Sequence, residues 1–108
     1  MRTFPCALLN TEVELSDERE RHIAQRHPEL LPEHLDAIAE TLADPDEVRR
    51  SGRFGHASLF SKWFTHVHSG KYVVVVVVSE YEPASRHWIV TAYVSRKLAS
   101  GEVIWKRD

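Results

Sequence analysis

The chain has 108 residues, 43% of them apolar, which is enough for one hydrophobic core and not for two. Its formal charge of −2, with seven histidines counted neutral, gives no global positive field of the kind that draws a protein onto nucleic acid or an anionic membrane, so any polyanion site must be local. The single cysteine, Cys6, excludes an internal disulfide, a Cys-based zinc site and a Cys-x-x-Cys redox motif, and a reducing cytoplasm fits it best.

The opening Met-Arg-Thr-Phe-Pro lacks the sections of a signal peptide, and no apolar run reaches the ~18 residues of a membrane span. Cys6–Asn10 and Glu12–Leu15 read as an extended lead-in that pairs with itself or adds to the sheet. Ser16 is a candidate N-cap, followed by Asp17 and Glu18 where acidic groups favour the helix dipole, which predicts a helix from about Asp17 toward His27. Pro28 closes it, because the residue before proline is pushed out of the α region. A second helix is predicted from Pro32, with Leu35, Ile38, Ala39 and Leu42 at the spacing of a buried stripe, and Asp44-Pro45 stops it.

Asp46–Arg50 reads as a short strand and Ser51-Gly52-Arg53-Phe54-Gly55 as a loop. Ser58–Val67 is rich in aromatic and β-branched residues, Ser69-Gly70 is a turn, and Tyr72–Ser79, with its six valines, is a strand apolar on both sides and therefore central. Trp88–Ser95 and Glu102–Lys106, around a Ser100-Gly101 turn, supply two more strands. Short loops between consecutive strands imply an antiparallel meander. The expected fold is thus one α+β domain, two N-terminal helices packed on a four- to five-stranded antiparallel sheet.

Several side chains suit chemistry. His27 ends the polar segment His22-Ile-Ala-Gln-Arg-His, on the helical face of Ile23, at the rim of the packed surface, where it is either a partly buried acid or base or a histidine interacting with the last carbonyls of its helix. Strict alternation sets Phe60, Lys62, Phe64, His66 and His68 on one side of their strand. Lys62 either lies over a phosphate or lays its stem along the aromatics. His66-x-His68 has two-ligand metal spacing but no third ligand nearby in sequence. The same alternation places Ile89, Thr91 and Tyr93 opposite Val90, Ala92 and Val94, followed by Arg96 and Lys97.

The order of these pieces resembles a known group. A helix ending in Arg-His-Pro, a second helix followed by Asp-Pro-Asp-Glu-Val, a Lys-bearing strand, Tyr-Val-Val-Val-Val-Val-Val and Ile-Val-Thr-Ala-Tyr are similar to the barnase–EndoU–colicin–RelE-like nucleases, closest to their phage-associated branches, from Leu15 to Tyr93. The resemblance implies a RelE- or barnase-like fold and metal-independent RNA cleavage, as a toxin or phage-associated effector. It implies a site of His27, Lys62, Thr91 and Tyr93, with Arg26 as a phosphate contact. Arg96 and Lys97 extend that site on grounds of charge and location.

The chemistry suits these residue types. Attack of a 2′-hydroxyl on the adjacent phosphorus needs a base, an acid for the leaving 5′-oxygen and cations for the developing charge. Histidine serves either proton transfer, Lys62 and Arg26 the phosphorane, Thr91 or Tyr93 the orientation of the phosphate, and Trp63 or Tyr72 the stacking of a base. No metal or cofactor is required. The partners implied are RNA, a tRNA or an mRNA, and an inhibitor protein, with no membrane, for a monomer or a homodimer pairing through Glu102–Lys106. The alternatives are a non-catalytic binding module whose cleft holds a small anionic ligand or a protein, and a metal-dependent histidine enzyme.

Overall fold

The computed structural model describes residues 1–53 and 56–108; Phe54 and Gly55, in the predicted loop after Ser51, lie outside them. Strands β1 (Arg2–Cys6) and β2 (Thr11–Leu15) come first, then helices α1 (Asp17–Arg26) and α2 (Leu35–Ala43). Strands β3 (Glu47–Arg50), β4 (Ala57–Phe64), β5 (Lys71–Glu80), β6 (Arg86–Ser95) and β7 (Glu102–Lys106) follow. They form one seven-stranded sheet in the order β1-β2-β6-β5-β4-β3-β7. Every pairing is antiparallel except β2 with β6, which run parallel and meet at Glu14 and Trp88.

This mixed sheet overturns the expectation of two N-terminal helices on four or five antiparallel strands. Two residue choices account for the difference. The lead-in closes on itself as the β1–β2 hairpin, with Phe4, Cys6, Val13 and Leu15 turned into the core, so two strands precede the helices. The last strand does not fold back beside β6. Beyond Trp88 the outer side of β6 is taken by α1, whose Arg19 guanidinium donates to the Val90 carbonyl at 3.4 Å, so β7 crosses to the free edge of β3.

Gly101 permits that crossing. Its φ of 127° is a conformation that L side chains rarely adopt, and a Cβ there would stand 2.1 Å from the Arg50 carbonyl oxygen. Gly101→Ala is therefore expected to cost about 1–3 kcal/mol through backbone strain alone. An unchanged denaturation midpoint would show that β7 does not depend on this approach.

The helices follow local rules with one exception. Ser16 Oγ accepts from the Arg19 backbone N–H at 3.1 Å, and acidic Asp17, Glu18 and Glu20 lie in the first turn of α1. The second helix starts at Leu35 rather than Pro32. Leu30 and Leu31 are fully buried, and the turn that sinks them, with His34 N–H bonded to the Leu30 carbonyl at 2.7 Å, uses the residues that would have opened the helix.

Both helices lie on one face of the sheet. Ile23, Ile38 and Leu42 pack there against Phe60, Phe64, Val73, Val75, Val77, Ile89 and Ala92. The alternate residues, Leu59, Ser61 and Trp63 on β4, Tyr72, Val74, Val76 and Val78 on β5, and Trp88, Thr91 and Tyr93 on β6, make the opposite face. A bulge between Val76 and Val77 breaks the simple alternation of β6. Val76 pairs with Thr91 and Val77 with Ile89, so Val90 is the extra residue. Ile89 consequently faces the helices and Val90 joins Thr91 and Tyr93, reversing the faces that alternation assigns to those two.

Candidate functional site

The parallel run of β2 beside β6 sets the site. After Leu15 the chain continues as α1 in the same direction, still alongside β6. From Arg19, at Val90, to His27 is eight helical residues, an advance of ~12 Å. From Val90 to Tyr93 is three strand residues, or ~10 Å. The two elements keep pace, and the His27 ring arrives with its centroid 6.1 Å from that of Tyr93 at an interplanar angle of 41°.

His27 is held by its own turn. The Leu30 and Leu31 N–H groups both bond its carbonyl, at 2.9 and 3.2 Å, and its Nδ1 lies 3.3 Å from Glu29 Oε1. Glu29 is fixed in turn from the β4–β5 turn, where His68 Nε2 donates to the Glu29 carbonyl at 2.7 Å. Burial pushes the Tyr93 phenol up from its ordinary value, so near neutral pH it stays protonated and able to donate.

Tyr93 and Thr91 also line a groove of about 760 Å³ on the open face. Its floor is Leu59, Val76, Val78 and Val90, and Ser51, Arg53 and His56 border it. An apolar floor with polar groups at the rim suits a planar ring whose polar edge and phosphate stay wet.

The remaining predicted residues divide. Arg26 is exposed in the last turn of α1, directly before His27, and Arg96 and Lys97 are exposed just after β6 ends, three and four residues beyond Tyr93. Trp63 and Tyr72 are cross-strand partners on the open face, packed edge to face with centroids 5.0 Å apart, and Trp63 is 43% exposed. They stack on each other first, leaving Trp63 the surface for a base.

Lys62 does not converge with the rest. It pairs with Val73 across the strands and so lies on the helix-covered face, two strands from β6. Its Nζ donates to the Asp44 carbonyl at 2.9 Å and sits 3.5 Å from Asp44 Oδ2 and 3.8 Å from Asp46 Oδ1. Arg107 binds the same two carboxylates, holding the Asp44 carboxyl below its usual range. The lysine thus ties the end of α2 to β4, on the face of the sheet opposite Thr91 and Tyr93. His66 and His68 each approach His34 at 6.0 Å between ring centroids, and among the described residues no three His, Cys, Asp or Glu side chains are placed to hold a metal ion.

Sequence reasoning missed Glu29 and the groove lining. Glu29 is only two residues from His27 and could have been noted as a carboxylate in reach of a histidine. Arg53, His56 and Leu59 carry no local signal, since only the β4–β5–β6 register brings them to Thr91 and Tyr93. No helix among the described residues is long and apolar enough to cross a membrane. In comparison with known proteins, the chain matches no family model, no curated protein and no solved structure.

Proposed function

We propose that the chain is a metal-independent endoribonuclease of the reducing cytoplasm that acts at the His27–Tyr93 end of the open-face groove. The observation that carries this reading is the meeting of an imidazole and a protonated phenol, from distant parts of the chain, where the phenol's residue lines an apolar-floored groove of about 760 Å³. His27 Nε2 takes the 2′-hydroxyl proton as that oxygen attacks phosphorus. The P–O5′ bond breaks, and the 5′-oxygen leaves with the phenolic proton of Tyr93. The products are a 2′,3′-cyclic phosphate and a 5′-hydroxyl, and the proton on His27 then returns to the phenolate. Thr91 orients the phosphate, while Arg26, Arg96 and Lys97 supply positive charge that the chain as a whole lacks.

RNA incubated with the protein in EDTA is expected to be cut to cyclic-phosphate ends, and Tyr93→Phe is expected to slow the reaction strongly with the fold intact. Lys62→Met is expected to keep the wild-type rate, because its ammonium faces the helices and is already paired; loss of cleavage in that variant, at unchanged melting temperature, would refute this arrangement. Stabilisation by nucleotides without turnover, in the wild type with enzyme in excess, would replace the enzyme with a binding module.

A further inference from the structure

We infer that Glu29 is a positioning residue for His27, and that His68 holds it there. The inference rests on the ribonuclease reading for its effect on rate, but its structural content is independent of it. A histidine that acts as a base at one ring nitrogen needs the proton on the other, and a neutral imidazole in water does not choose strongly between the two. Here Nδ1 faces the Glu29 carboxylate at 3.3 Å, and a carboxylate only accepts. The proton therefore sits on Nδ1, and Nε2 is left with its lone pair for the substrate hydroxyl.

The geometry is set from two sides. Pro28 stands between the two residues and fixes one backbone torsion of the link. The Leu30 and Leu31 N–H bonds to the His27 carbonyl close the turn, and buried Leu30 and Leu31 anchor it in the core. From the other side, His68, at a left-handed φ of 46° in the β4–β5 turn, donates Nε2–H to the Glu29 carbonyl. Lys71 Nζ donates in turn to the His68 carbonyl at 2.8 Å. Neither His68 nor Lys71 is among the groove-lining residues, and the link from them toward His27 runs through Glu29.

The test reads the imidazole directly. In 15N NMR spectra of the intact chain at neutral pH, His27 is expected to show a protonated Nδ1 and an unprotonated Nε2. Glu29→Gln is expected to erode that preference, since its amide can donate to Nδ1 as well as accept, and to lower kcat for RNA cleavage about 10- to 100-fold with KM little changed. Glu29→Asp, which keeps the charge on a shorter arm, is expected to recover part of both. A wild-type His27 protonated at Nε2, or a Glu29→Gln variant with unaltered tautomer and kcat, would overturn the assignment. Absence of any cleavage by the wild type would instead remove the ribonuclease reading, while the tautomer measurement would still decide the role of Glu29.

Discussion

His27→Ala is expected to lower kcat for RNA cleavage by about 10²- to 10⁴-fold, the range that a single positioned general base or acid contributes. On the proposed ribonuclease reading the loss should fall on kcat rather than KM, because there the imidazole meets the substrate at one hydroxyl while the groove and the cations at Arg26, Arg96 and Lys97 are assigned the rest. The fold should survive, since the ring is half-exposed and ends the helix instead of packing under it. Single-turnover rates with a labelled oligoribonucleotide, beside circular dichroism of the same sample, make the comparison. A His27→Ala protein that cleaves at the wild-type rate would place the chemistry elsewhere.

The largest expected effect on stability is at Phe60. Its ring is 1% exposed on the helix-covered face, where it opposes Val48 on β3 and Val75 on β5. Phe60→Ala removes the largest fully buried side chain among the described residues from the point where both neighbours and the helical layer meet, and is expected to cost about 3–5 kcal/mol. For a domain of this size that is a large part of the whole stability. Chemical denaturation at neutral pH should show the midpoint fall with little change in slope. A loss below 1 kcal/mol would mean that the sheet and the helices are not packed through this ring.

Lys62 and Phe60 lie on the same side of the same strand and illustrate why site residues are harder to read than core residues. Burial of Phe60 follows from its own chemistry, which any apolar interior satisfies. The role of Lys62 depends on which charges lie above it, and those come from Asp44 and Asp46, placed by the end of α2. Thr91 and Tyr93 show the same dependence. Alternation separates them from Ala92 and Val94, as the register bears out, but it cannot foresee the extra residue at Val90 that turns Ile89 inward.

By itself the sequence determined the elements whose causes are local. The Ser16 cap and the Pro28 stop bound α1, the apolar stripe of α2 marks its buried side, and the run of six valines demands burial on both faces, which makes β5 the middle strand. Only the tertiary structure decided what those elements touch. The β1–β2 hairpin joined the sheet in parallel to β6, and that direction carried α1 along β6 to set His27 beside Tyr93. The route of β7 to the far edge likewise turned on which strand edge was free. Caps, periods and burial are properties of a few neighbouring residues, whereas strand order and the meeting of His27 with Tyr93 are settled by competition among surfaces far apart in the chain.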